Sequence, residues 1–217
     1  MGASYNALAM SSATLSLLLN FNSLHGGFVM DDKVAILQNA DVWGKHSTIR
    51  HIFSNDFWGT PFAHARSHKS YRPLTVLSFR ANFVAAKYLG FTGLEPIGYH
   101  AVNILCSALV VYLAAIVMQK IFLQNEGNTK RIHGTNKRGK PKNKHNPKRL
   151  APFASSVGAY IFASHPVHSE AVANIVGRAE LLSAVFALLS FLSFFDSLPQ
   201  SQLPYSCVDK KSGGSIR

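Results

Sequence analysis

Apolar residues fall in blocks along the chain, and the block lengths predict helices that cross a membrane. Residues 1–22 are apolar but interrupted by Ser11, Ser12, Thr14 and Ser16, with no Lys or Arg ahead of them. A secretory signal opens on positive charge, so this block is expected to be a retained first span. Residues 99–123 form the clearest span. Ile104 to Met118 carries no charge, and about 25 residues at 1.5 Å each cross the hydrocarbon core with some tilt. Residues 150–164 predict a shorter span rich in small side chains. Ala154 and Gly158, like Ser155 and Ala159, lie four apart, a spacing that lets a neighbouring helix approach closely. Residues 179–197 give the last strong run. The expected fold is all-α and polytopic, with about four transmembrane helices.

Two long polar stretches separate these blocks. Residues 23–98 hold Asp31-Asp32, then Asp41-Val42-Trp43, Asp56-Phe57-Trp58-Gly59, and His64, His68 and Lys69. Aromatic residues among charges suit a loop lying against headgroups. From Tyr71 to Leu89 the apolar positions Val76, Leu77, Phe83, Val84 and Leu89 approximate one helical face, which predicts an interfacial helix. Residues 165–178 form the second stretch. Pro166 fits the first position of a helix, capped by Ser164 or His165. If that helix runs on to Phe195, then Glu170, Asn174 and Arg178 fall at i, i+4 and i+8 and make one polar stripe.

Charge decides the topology. The net charge is +12, from 22 Lys and Arg against 10 acids. Much of it is concentrated between Lys130 and Arg149, where no aromatic residue interleaves. Nucleic acid is therefore not an expected partner, since single strands need stacking platforms. A cytoplasmic loop over residues 124–149 obeying the positive-inside rule accounts for the run. Residues 23–98 and 165–178 then share the opposite face of the membrane. The tail, 198–217, is polar, contains Pro199, Pro204 and Gly213-Gly214, and is expected to be unstructured. Two cysteines provide neither a disulfide framework nor a metal-ligand spacing.

The candidate chemistry sits in the two polar stretches. Asp31 and Asp32 are adjacent acids in a chain poor in them. Such a pair can accept a proton, hold a metal or stabilise positive charge, and it can equally cap a helix at a loop entrance. His165, His168 and Glu170 are potential metal ligands, but their spacing matches no strong zinc pattern. The remaining reading of that cluster is a Glu170–Arg178 network that satisfies itself.

Several motifs occur in a recognisable order: Asp31-Asp32-Lys33, Asp56-Phe57-Trp58-Gly59, Ser70-Tyr71-Arg72-Pro73-Leu74-Thr75, Gly98-Tyr99-His100 with Asn103, His165-Pro166-Val167-His168-Ser169-Glu170, and Gly177-Arg178-Ala179-Glu180. Together they resemble the N-terminal part of the transmembrane, TPR-repeat-containing protein O-mannosyltransferases, the TMTC family, from about Ser23 to Phe195. The resemblance implies a GT-C-type glycosyltransferase of the endoplasmic reticulum membrane. It implies dolichyl-phosphate mannose as donor and Ser or Thr of secretory or cell-surface proteins as acceptors, cadherin-type domains among them. Asp31 and Asp32 take the place of the family's essential first-loop acid, as base and as electrostatic partner or metal ligand. Arg72 and Arg178 are the candidates for the donor phosphate, and His165, His168, Glu170 and Asn174 for the lumenal pocket. The chain departs from the family's pattern in Met30, in the length of the basic insert, and in having no TPR-length repeat. Those departures imply a fragment or short isoform. The alternative is a non-catalytic membrane subunit or client-binding chaperone.

Overall fold

The computed structural model describes residues 2–44, 46–133 and 147–198. Its regular secondary structure in these residues is helical, apart from one isolated bridge between Asn55 and Pro61. Four long helices make a bundle: α1 (Gly2–Asn20), α5 (Pro96–His133), α6 (Pro147–Ser164) and α8 (Arg178–Ser197). Between α1 and α5 lie three further helices, α2 (Ala40–Trp43), α3 (Ile49–Ile52) and α4 (Pro73–Tyr88), and α7 (His168–Ala173) precedes α8.

Three helices among the described residues are long and apolar enough to cross a membrane, over Asn6–His25, Pro96–Phe122 and Ile175–Ser197. Helix α6 stands at the place of the expected fourth span. Its apolar part is Phe153–Ser164, and at 1.5 Å per residue that covers roughly 18 Å of a core about 30 Å thick.

Helix α5 is the centre of the bundle, touching α1, α6 and α8. Small residues set the approach. Ala9, Ala115 and Ala159 pack together from three helices, and a Cβ on Gly158 would come 3.1 Å from Met118 Sδ. This bears out the small-residue spacing in α6. Hydroxyls pair across the same contacts, Ser16 with Ser107 at 3.1 Å and Ser11 with Tyr160 at 2.7 Å. Such pairs satisfy polar groups where no water reaches them. Toward the other end, Lys120 bonds Asp196 and ties α5 to α8.

Helix α4 forms as expected, with Pro73 at its first position. Its buried face carries Thr75, Val76 and Phe79, whereas Val84 and Leu89 point outward. Val76 and Phe79 belong to a second core, shared with Ala35, Ile36, Val42, Ile52, Phe57, Tyr99 and Ile175. Through this core the polar stretch 23–98 is fastened to the bundle as a folded layer of short helices.

The long helix expected from Pro166 to Phe195 is broken. α7 ends at Ala173, Asn174 is extended (φ −82°, ψ 121°), and a 3-10 turn over Ile175–Gly177 leads into α8. Tertiary contacts explain the break. The Asn103 side-chain amide donates to the carbonyls of Val172, Asn174 and Ile175 at 3.4, 3.1 and 3.3 Å, which holds the chain in the turned form, where the Asn174 carbonyl also accepts from the Gly177 N–H at 3.0 Å. Gly177 turns so tightly that a Cβ there would lie 2.5 Å from the Ala171 carbonyl oxygen. The helix α5 continues to His133, beyond the start expected for the basic loop. The loop expectation for 134–146 and the tail expectation for 199–217 lie outside the described residues.

Candidate functional site

The two polar stretches meet at one end of the bundle. The chain leaves the 3-10 turn Phe21–His25 through Gly26-Gly27 and makes a tight turn at Met30, whose φ is +39°. A non-glycine residue in that region stores backbone strain, which persists only where surrounding contacts impose it. Asp32 imposes it here. Its N–H donates to the Val29 carbonyl at 2.8 Å, and its Oδ2 accepts from the Val29 N–H at 3.1 Å. Its Oδ1 accepts from the Val176 N–H at 2.9 Å. A π-helical turn over Lys33–Leu37 follows directly, a rare geometry that is enriched at functional sites.

The two aspartates consequently differ. Asp32 is 0% exposed, with an oxygen committed to each end of the clasp. Burial raises its carboxyl above the ordinary value, while the N–H groups of Val29, Val176 and Ile175 and the nearby His100 pull it down by less. Asp31 is exposed on the outside of the turn. Met30 beside it is 85% exposed.

Arg178 is the best-held side chain in the site. It is 0% exposed, and its guanidinium is surrounded by neutral acceptors. Nε donates to Asn103 Oδ1 at 2.8 Å, Nη1 to Asn82 Oδ1 at 2.7 Å, and Nη2 to the Tyr99 carbonyl at 2.8 Å. Its charge lies over the Phe79 ring at 4.8 Å and the Tyr99 ring at 5.7 Å, contacts that partly replace hydration. Three helices, α4, α5 and α8, are thus joined by one side chain. The Glu170–Asn174–Arg178 stripe does not form, because the break at Asn174 separates exposed Glu170 from buried Arg178.

Arg72 stands differently. It is exposed at the N-terminus of α4, its guanidinium 5.2 Å over the Phe57 ring. It lines a groove of about 700 Å³ together with Leu74, Ala179, Leu182, Ser183 and Phe186. The groove therefore runs between the start of α4 and the first half of the spanning helix α8. Asp32 is bonded to Val176, one turn ahead of Ala179 in the groove wall.

His165 and His168 lie near one another, ring centres 6.0 Å apart, with His168 also against Phe162 at 4.4 Å. Burial depresses the His168 pKa, and the neighbouring His165 depresses it further. Among the described residues no three His, Cys, Asp or Glu side chains converge as a metal site would require. Asn174 is brought to the Arg178 network through its carbonyl, and its Oδ1 is buried without a partner among the described residues.

Four contributors were not singled out as site residues by the sequence: Asn82, Tyr99, His100 and Asn103. Asn103 left a signal, since a lone amide inside an uncharged span is costly unless it has a partner. His100 packs so closely on Gly26 that a Cβ there would sit 2.9 Å from its Nε2. Asp56 was also missed as an organiser. Burial pushes its carboxyl up, but the Ser67 hydroxyl and the N–H groups of Thr60, Trp58 and His68 together hold it below the ordinary value.

The fold and site define a multi-pass helical membrane protein with a polar cap at one end of its bundle. The chain is homologous to the TMTC protein O-mannosyltransferases. It is 40% identical to mouse Protein O-mannosyl-transferase TMTC4 over 189 residues, covering 86% of this chain and 22% of that protein. Human TMTC3 is 40% identical over 174 residues, 80% of this chain and 15% of that protein. Drosophila Tmtc1 is 37% identical over 182 residues, 84% and 17%. The chain thus spans well under a quarter of these relatives' length. No family model matches it, and no solved structure does.

Proposed function

We propose that the chain forms the N-terminal part of a protein O-mannosyltransferase of the endoplasmic reticulum, with residues 23–98 and 165–178 on the lumenal side. Mannose would pass from dolichyl-phosphate mannose to Ser or Thr of secretory-pathway proteins. The observation that carries this reading is an exposed carboxylate, Asp31, next to a buried and doubly held one, Asp32. Asp31 is the general base. It takes the proton of the acceptor hydroxyl as that oxygen attacks the anomeric carbon, and the bond from that carbon to the phosphate oxygen breaks. Asp32 positions Asp31 by clamping the turn against Val176.

Arg72 meets the departing phosphate. A guanidinium suits phosphate oxygens bidentately, and the N-terminus of α4 adds partial positive charge at the same place. The apolar walls of the groove, Leu74, Leu182 and Phe186, suit an isoprenoid tail. The original candidate role of Arg178 is the same phosphate, but its donors already face protein acceptors. We therefore assign Arg178 the positioning of α4 against α5 and α8. His165, His168, Glu170 and Asn174 lie outside the lining of this groove.

Titrating dolichyl-phosphate mannose against the purified chain tests the assignment. Arg72→Gln is expected to weaken donor binding about tenfold, the scale of one charge-assisted hydrogen bond. In the full-length context, Asp31→Asn is expected to abolish transfer with donor affinity unchanged. Donor affinity indifferent to Arg72, or transfer surviving without Asp31, would return the chain to the reading of a non-catalytic membrane subunit.

A further inference from the structure

The groove between α4 and α8 carries two opposite charges that do not meet. Arg72 and Glu180 both line it, yet the one ion pair among the described residues joins Lys120 to Asp196. Glu180 is exposed, in the first turn of α8. Its carboxylate and the Arg72 guanidinium therefore face a shared space, and neither uses the other's hydrogen-bonding capacity.

Hydroxyls join them. Thr75 is 5% exposed and lines the groove, and its hydroxyl makes no hydrogen bond among the described residues. The nearby Ser78 hydroxyl, by contrast, donates to the Thr75 carbonyl at 2.7 Å. A hydroxyl so far buried is costly without a partner. Ser183 lies one turn beyond Glu180 in the groove wall and is exposed. Phe186 follows, about 9 Å along α8 from Glu180 at 1.5 Å per residue. The wall that α8 contributes thus changes from polar to apolar along its length. Its polar end adjoins the bond between Asp32 and Val176.

This set fits a ligand with an anion for Arg72, hydroxyls for Glu180, Thr75 and Ser183, and an apolar tail. A lipid bearing a bare phosphate meets only part of it. A phosphodiester carries one negative charge, whereas a phosphomonoester carries about 1.5–2 at neutral pH. Glu180 therefore acts twice. It accepts from sugar hydroxyls, and its charge disfavours the monoester more than the diester.

We propose that Glu180, with Thr75 and Ser183, reads the sugar of the lipid donor, so that the groove prefers a glycosyl phosphodiester to the phosphomonoester left after transfer. Glu180 is then a specificity-determining residue that also favours product release. The proposal rests on the donor-groove reading above and makes no use of Asp31.

The test titrates dolichyl-phosphate mannose and dolichyl phosphate separately against the full chain in phosphatidylcholine nanodiscs. The mannosylated lipid is expected to bind about tenfold tighter. Glu180→Gln should bring the two affinities within about twofold, with thermal unfolding unchanged because the side chain is exposed. Thr75→Val should narrow the ratio about threefold without lowering thermal unfolding, since no hydrogen bond within the fold is lost. An unchanged ratio in either variant overturns the proposal, as does a wild-type preference for dolichyl phosphate. Phosphatidylinositol offers the same diester and hydroxyls on another tail, and tighter binding of it than of the mannosylated lipid also overturns the proposal. Arg72→Gln keeps the two readings apart. If it weakens both dolichyl lipids while the ratio ignores Glu180, the sugar assignment alone fails. If it changes neither affinity while Glu180→Gln still shifts the ratio, the phosphate assignment fails and the sugar assignment stands.

Discussion

Removing the Arg178 guanidinium should unlock the polar cap from the bundle. Arg178→Ala deletes the donors to Asn103 Oδ1, Asn82 Oδ1 and the Tyr99 carbonyl. It leaves three acceptors buried where water does not reach. Each such acceptor costs about 1–3 kcal/mol, and two cation–π contacts at about 1 kcal/mol or more are lost as well. Part of this is returned, because desolvating the arginine was itself costly. A net loss of about 3–5 kcal/mol is reasonable, the range for breaking a buried charged network. At about 2–4 °C per kcal/mol for a chain of this size, thermal unfolding should shift down by roughly 6 °C or more. Arg178→Lys keeps the charge but cannot reach three acceptors at once, and should show an intermediate shift. Tryptophan fluorescence during heating in nanodiscs is the assay, since Trp43 and Trp58 both pack against the core that Arg178 adjoins. An Arg178→Ala protein unfolding within about 1 °C of wild type would refute this reasoning, since it implies that the network contributes under about 0.5 kcal/mol.

Asp56→Asn should loosen the loop over residues 58–68, because an amide presents N–H donors where the carboxylate accepted four; a cost of about 1–3 kcal/mol is expected and proteolysis between Trp58 and Lys69 would report it. The Asp56 carboxyl is lowered from its ordinary value in the fold, so its stabilisation is complete above the ordinary value and is lost as the pH falls through the lower, folded one; wild-type Trp58 emission should change only in acid below the ordinary carboxylate range, and Asp56→Asn should remove that limb. Gly177→Ala places a Cβ 2.5 Å from a backbone oxygen, so the turn into α8 must shift, and thermal unfolding should fall by several degrees as for an overpacking of about 1–3 kcal/mol. Asp32→Asn, facing N–H donors from both Val29 and Val176, should lower stability, whereas Asp31→Asn should leave unfolding unchanged; the reverse order would exchange their proposed roles.

The bundle was legible in the sequence because long apolar blocks have few alternatives to crossing a membrane. The interfacial helix at Pro73 was equally readable, but which side of it is buried was not, because Phe79 is chosen by Phe57 and Tyr99, neighbours distant in sequence. The break at Asn174 was hidden for the same reason. Local spacing favours a continuous helix there, and the amide of a side chain 71 residues earlier instead holds the Val172, Asn174 and Ile175 carbonyls in a turn. The sequence alone reads Arg178 as a phosphate ligand or as the partner of Glu170, because arginine is rarely buried without an anionic partner. Only the convergence of Asn82, Asn103 and the Tyr99 carbonyl makes the interior tolerable.

The bond between Asp32 and the Val176 N–H joins residues 144 positions apart. A ribosome adding about 5–20 residues per second needs roughly 7–30 s to travel that distance. Throughout that interval the aspartate turn can form its local bond to the Val29 N–H, but Oδ1 waits for the Val176 N–H. The order of synthesis thus makes the Asp pair the first part of the site to be made and the last to be set. Until the turn into α8 is made, Asp32 has only its local bonds to Val29.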